Sequence, residues 1–231
     1  MVYVTGDLHG DIRRFGKFRR LRRGDTLLVC GDFGFLWTGD AAEQRVLKRL
    51  GRRPYTILFV DGVHENHALL DALPVTQFAG AAVHQLGRRL YHVLRGEILE
   101  LEGRSFFVCG GGESPDADLL EEGKNWWSRE LPSQQELAAA RARLLAHDNR
   151  VDYVVTHQPP QMIYNFLQMH LSQFNPLSAF LDEVSRSVRF DRWFFGALHL
   201  DKVVSSAYVA LFKELRPAWK KGERAPKKLE V

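Results

Sequence analysis

The 231-residue chain is poor in cysteine, with only Cys30 and Cys109. Each ends an apolar run just before a glycine, a setting for a small buried thiol rather than half of a disulfide. So few thiols exclude a disulfide-stapled scaffold and fit a reducing cytoplasm. The chain also lacks any apolar run near the ~20 residues that span a bilayer. It begins on a strand-like run, Met1 to Thr5, rather than on the basic and apolar regions of a secretory leader. The expectation is a cytoplasmic protein with no membrane partner. No internal repeat and no low-complexity linker occurs, which excludes a solenoid array and favours one large domain.

What is present is an ordinary globular composition, 45% hydrophobic and 26% charged, with a formal net charge of +4. The cations are bunched. Arg13, Arg14, Lys17, Arg19, Arg20, Arg22 and Arg23 crowd one predicted helix, and Arg45, Lys48, Arg49, Arg52 and Arg53 crowd another. Lys220, Lys221, Arg224, Lys227 and Lys228 follow near the end. Such clusters suit a nucleotide or nucleic acid partner, and equally a solvated helix face and a frayed terminus.

Strand and helix patterns alternate from the start. Strands are expected over 1–5, 26–30 and 55–60, followed by helices near 11–21, 40–51 and 65–72. Short apolar runs broken by Gly87, Gly96 and Gly103 predict antiparallel strands within 81–109. An irregular segment follows to Pro132. Ser133 and Glu136 then have the capping-box spacing that opens a helix reaching about Ala146. Strand 152–156, a helix near 176–187, strand 191–195 and a hairpin from Val203 to Phe212 complete the pattern.

Chemistry gathers where these strands end. Asp7 and His9 follow the first strand, Asp32 the second, His64 the third, His157 the run Tyr153 to Thr156, and His199 the run Trp193 to Phe195. Ligands bind outside the carboxyl ends of strands in α/β sheets. Carboxylates and imidazoles delivered there by several strands describe a metal site.

The pieces Gly6-Asp7-Leu8-His9-Gly10, Gly31-Asp32, Gly62-Val63-His64-Glu65-Asn66, Thr156-His157 and Gly196-Ala197-Leu198-His199 occur in an order that resembles the calcineurin-like metallophosphoesterases. Gly110 to Ser114 followed by Trp126-Trp127 is similar to a bacterial and phage-type subgroup. The resemblance implies an α/β fold, a four-layer α/β/β/α sandwich. It covers residues 1–212 as one phosphoesterase domain, with 213–231 expected as a basic, disordered tail.

The resemblance also implies a two-metal site. Asp7, His9, Asp32 and His199 match the residues that hold one ion. The second ion would use Asp32, His157 and two further positions, occupied here by Val63 and Ala197, which offer no lone pair. Nearby replacements are His67, Asn66, Asp61 and Gln158, none in simple register. The expectation is one tightly bound divalent metal, manganese first, with iron, zinc or nickel as alternatives, and a weak second ion. The substrate would be a phosphomonoester or phosphodiester, with His64 as general acid and the activity reduced. The alternative is an inactive phosphoesterase-like protein that binds a nucleotide, nucleic acid or protein. Gly111 and Gly112 are candidates to cradle phosphate with backbone N–H groups, or else simply permit a tight turn. Trp126 and Trp127 suit a core, or stacking on a substrate ring. His84, His92, His147 and His170 have no motif context and are expected to be structural.

Overall fold

A computed structural model describes residues 1–168, 174–220 and 222. Two sheets are stacked between helical layers. The first sheet contains β1 (Val2–Thr5), β2 (Thr26–Val29), β3 (Thr56–Phe59), β4 (Val75–Phe78), β5 (Ala81–Gly87) and β6 (Leu90–Val93). The second contains β7 (Glu97–Leu101), β8 (Arg104–Cys109), β9 (Tyr153–Thr156), β10 (Arg192–Phe195), β11 (Lys202–Val203) and β12 (Tyr208–Ala210). A last short strand, β13 (Arg216–Pro217), returns to the first sheet. The strand orders are β13-β1-β2-β3-β6-β5-β4 and β11-β12-β10-β9-β8-β7. β1, β2, β3 and β6 run parallel, as do β8, β9, β10 and β12.

The central strands are apolar at consecutive positions because both of their faces are covered. Leu28, Cys30, Leu58 and Val60 meet Phe106, Val108, Tyr153, Val155 and Phe194 between the sheets. Their neighbours in sequence, Leu27, Val29, Ile57 and Phe59, face the outer layer with Phe15, Phe18, Leu21, Leu47 and Leu50. On the far side, Val154, Trp193 and Phe195 pack against Leu137, Leu144, Phe180, Leu181 and Val184. The period-two alternation of strand side chains thus builds three apolar seams and four layers.

The helices are α1 (Ala41–Leu50), α2 (His67–Asp71), α3 (Gln134–Ala146), α4 (Gln161–Gln168) and α5 (Pro176–Ser187). Ser133 opens α3 with the expected capping box. Three features differ from the sequence reading. Residues Ile12–Arg20 form a 3₁₀ helix. Phe15, Phe18 and Leu21 recur every three residues, so a three-residue turn puts all of them on the sheet. α4 and β4 were not foreseen; β4 is an exposed edge strand with little apolar signal.

The third difference concerns residues 213–220 of the stretch 213–231 expected as a disordered tail; 221 and 223–231 lie outside the described residues. Arg216 and Pro217 pair with β1, Ala218 N donates to Val2 O (3.0 Å), and Trp219 is buried. Trp219 stacks on Tyr153 and lies under the Arg104 guanidinium, 4.6 Å from its ring centroid. The sequence reading weighed the tail's charge and missed the anchoring area of one indole. Lys221, Arg224, Lys227, Lys228 and His170 lie outside the described residues.

Candidate metal centre

The parallel strands end at one edge of each sheet, and the two edges are sewn together beside the site. Leu8 N and His9 N donate to Asp32 O (2.9 and 2.8 Å), joining the loops after β1 and β2. Between the sheets, His157 Nδ1 lies 3.0 Å from Cys30 O, and Gly196 N donates to His157 O (3.0 Å).

Asp7, His9, Asp32 and His199 each offer a ligand atom, all within 4.8 Å of one another. His199 Nε2 lies 3.2 Å from Asp7 Oδ2 and 2.9 Å from His9 Nε2, while His9 Nδ1 lies 3.8 Å from Asp32 Oδ2. Asp7 Oδ2 is buried, and its one close donor, His199 Nε2, is not aligned to satisfy it with a hydrogen bond. A buried carboxylate oxygen left unsatisfied costs about 1–3 kcal/mol or more. A cation among these donors removes that cost, so the residues present fit a divalent metal. The mixed carboxylate and imidazole set suits several first-row ions.

The chain adopts unfavourable backbone to aim these groups. His9, Asp32 and His199 have φ of 48°, 45° and 50°, and Ala197 has 62°. Left-handed backbone in a non-glycine residue costs about 1–2 kcal/mol, and such residues gather at functional sites. Glycines allow the donors to sit close. A Cβ on Gly196 would fall 2.1 Å from Asp7 Oδ1, and one on Gly62 would fall 2.0 Å from Asp32 Oδ1. The glycines quoted in the sequence motifs are therefore steric requirements of the carboxylates.

Electrostatics divides the imidazoles. Burial lowers the pKa of His9, and the Asp32 and Asp7 charges only partly offset it. The hydrogen-bonding approach of Asp7 raises that of His199 against a smaller burial effect. The two rings meet edge-on, with their Nε2 atoms 2.9 Å apart. Burial opposes the charge on Asp32, yet His157 and His64 outweigh it and hold the carboxyl well below its ordinary range. His64 N and His64 Nδ1 both approach Asp32, at 2.8 Å each, and the ring is otherwise open to solvent.

His157 lies beside the four-donor set. Its Nδ1 side faces Cys30 O, which directs Nε2 toward Asp32 Oδ1 at 3.6 Å. Burial works against its protonation, but Asp32 and Asp7 raise its pKa overall. Around it the second ion's place is poorly furnished. Val63 Cγ1 and His157 Cδ2 would lie 2.9 and 3.3 Å from a Cβ on Gly112, and Ala197 contributes only its N–H, donated to Asp7 Oδ1 at 3.2 Å. Three of the four replacements are engaged elsewhere. Asp61 pairs with Arg95 and His92, Asn66 caps α2 and donates to Trp37 O, and His67 belongs to the buried cluster around Asp61. Gln158 alone remains near, with Oε1 3.9 Å from the Gly112 Cβ direction.

The phosphate cradle expected at Gly111 and Gly112 is corrected. Gly111 N already donates to Asp61 O (2.9 Å), and Gly112 N to Glu130 O (3.1 Å). These glycines serve close packing: a Gly111 Cβ would meet Glu130 O at 2.7 Å. Trp127 is a core residue, edge-on to Trp37 at 5.3 Å, and Trp126 is half-buried. Cys30 and Cys109 are buried free thiols, both with pKa raised by burial.

Several supporting residues escaped the sequence reading. Glu65 is fully buried and accepts from Phe33 N (2.6 Å) and Gly34 N (3.3 Å), fixing the loop that carries Asp32. Its position inside a quoted motif was the available signal. Arg14 Nη1 donates to Asp7 O (2.8 Å) from among exposed arginines that resemble it in sequence. Asp201 accepts from Phe212 N, Lys213 N and Glu214 N, holding the Phe212 ring against His199 at 4.7 Å.

No curated protein matches the sequence. Among solved structures, a Staphylococcus aureus protein described as a 5'-nucleotidase, with alpha-ketoglutarate bound, is similar with a TM-score of 0.48 at 15% identity. The match covers 92% of this chain and 48% of that one, so this chain spans about half its length. A family match described as calcineurin-like phosphoesterase extends over residues 1–203, and the chain belongs to that family.

Proposed function

We propose that this chain hydrolyses a phosphomonoester or phosphodiester with one tightly held divalent cation, bound by Asp7, His9, Asp32 and His199. The observation that carries the reading is the convergence of these four donors on a buried Asp7 oxygen whose nearest neighbours are the His199 and His9 rings. A bound divalent ion supplies Lewis-acid charge for a phosphoryl oxygen and lowers the pKa of water.

The chain's own residues do the rest. Asp32 fixes the His64 ring through Nδ1, so its other nitrogen faces solvent, where an ester oxygen would leave. The Asp32 hydrogen bond raises the His64 pKa, a shift toward the protonated ring that a general acid needs. His157 and Asp32 together form a weak second cation position. Val63 gives a phosphoryl oxygen no hydrogen bond; such contacts contribute about 1–4 kcal/mol to a transition state, so turnover is expected to be slow. Manganese is the proposed metal, with iron, zinc or nickel also compatible. No helix among the described residues is long and apolar enough to cross a membrane, and the unpaired thiols suit a cytoplasmic setting.

The test is hydrolysis of an aryl phosphate and a bis-aryl phosphodiester with each of the four metals. Turnover that requires metal and disappears in Asp32→Ala is the expected result. No turnover with any of the metals, on either ester, overturns it. Val63 and Ala197 favour a second reading in that event, a family scaffold that binds without cleaving.

A further inference from the structure

Fourteen of the chain's 32 Lys and Arg residues lie in segments 12–24, 44–54 and 86–90, which contain no Asp or Glu. The remainder holds 18 cations against 28 acids, a net of −10, while the whole chain is +4. Sequence alone leaves these as three separate basic stretches. The fold joins them. A Cβ on Gly51, at the end of α1, would lie 3.0 Å from both Gly87 Cα and Arg88 N in the β5–β6 turn. Arg89 Nη1 donates to Arg53 O (3.1 Å), and the Arg53 guanidinium lies 5.6 Å from the Phe15 ring of the 3₁₀ helix.

The junction has a definite place. The three segments run into β2, β3 and β6, whose first residues are in parallel register. The metal ligands follow the ends of β1 and β2, so the basic face lies across the sheet from them, about 13 Å of strand away. Helix dipoles account for cations in the last turn of a helix. They do not account for Arg22, Arg23, Arg52, Arg53, Arg88 and Arg89, which lie beyond the helix ends. Asp25 is the acid at this edge, and it is already taken by Arg22 N and the Met1 amino group, so gathering six arginines here stores like-charge repulsion that a polyanion would relieve.

The chemistry of the face narrows the partner. Arg14 is buried and turned to Asp7 O; of the other thirteen cations eleven are arginine, whose planar fork suits phosphate oxygens. Among the described residues, no large exposed hydrophobic falls in the three segments. An anionic membrane would normally be gripped with apolar anchors as well. A single strand would be held on exposed aromatic rings, whereas Phe15 and Phe18 are buried. We infer that this face docks the phosphate backbone of a nucleic-acid duplex without reading its sequence. This inference does not depend on the proposed hydrolytic activity.

The test is fluorescence anisotropy of the full chain with a 24-base-pair DNA duplex, at about 50 to about 200 mM KCl. Neutralising roughly five phosphates predicts a 100- to 1,000-fold loss of affinity over that range. Combining Arg19→Glu, Arg22→Glu, Arg49→Glu and Arg52→Glu is expected to weaken binding at least about 30-fold and to flatten the salt slope by about one per lost contact. The same charge change in Lys124→Glu, Arg150→Glu, Arg186→Glu and Arg189→Glu should leave binding within about threefold. If the first variant fails to fold, the four corresponding Gln substitutions should still lower affinity about tenfold. Aryl phosphate turnover should be the same in all of them, so failure of docking and failure of catalysis are distinguishable. No duplex binding, equal loss in both charge-reversal variants, tighter binding of the separated strand, or binding only to phosphatidylserine vesicles overturns the inference.

Discussion

Replacing Glu130 by glutamine should stabilise the protein above neutral pH and leave it nearly unchanged in mild acid. Glu130 is 2% exposed. Its Oε2 accepts from Ser114 N at 3.1 Å, while Oε1 is buried without a hydrogen bond. Burial raises its pKa to about 7 from an ordinary 4.5, and the contacts with Ser114 and the nearby His64 offset only part of that rise. An acid whose folded pKa is raised binds more protons folded than unfolded between those two values. Stability is therefore lost as pH rises from about 4.5 through about 7. Each unit of difference corresponds to about 1.4 kcal/mol, an upper bound of about 3 kcal/mol, of which about 2 falls between pH 5 and pH 8 because the unfolded carboxyl is already largely ionised at pH 5. Glutamine can still accept from Ser114 N and carries no charge. Urea unfolding of both proteins at pH 5 and pH 8 checks the reasoning. The variant should gain about 2 kcal/mol relative to the parent between the two conditions. An equal difference at both pH values would refute the argument that this carboxyl is ionised at a cost.

Other substitutions probe separate parts of the account. Gly196→Ala places a Cβ 2.1 Å from Asp7 Oδ1 and 2.5 Å from Cys30 O; it should cost about 1–3 kcal/mol in unfolding experiments and abolish tight metal binding by calorimetry. Phe212→Ala removes the ring stacked on His199 and should weaken metal affinity about tenfold, as loss of a group that orients a ligand does, with no change in stoichiometry. Ser133→Ala breaks the α3 capping box and should lower stability by about 1 kcal/mol while leaving metal affinity and turnover intact.

The strand-end pattern was legible because the parallel strands carry their chemistry immediately after the apolar run. Position offered Asp7, His9, Asp32, His64, His157 and His199; the family resemblance implied that Asp7, His9, Asp32 and His199 share one ion, and the structure brings these four together. The four layers were implied by the family resemblance, and continuous apolar strands covered on both faces are their physical basis. What stayed hidden depends on contacts distant in sequence. Arg14 looks like its exposed neighbours until the fold places Asp7 O beside it. Gly111 and Gly112 resemble a phosphate loop until their N–H groups are traced to Asp61 O and Glu130 O. Trp219 was masked by surrounding charge, although its ring reaches Tyr153 across 66 positions of sequence.

The most direct measurement is the number of divalent ions bound per chain, by elemental analysis after dialysis against limiting manganese. The account predicts one in the natural chain. It predicts a second in the double variant Val63→Asn with Ala197→His, which restores donors beside His157. Two tightly held ions in the unaltered chain, or none, would contradict it.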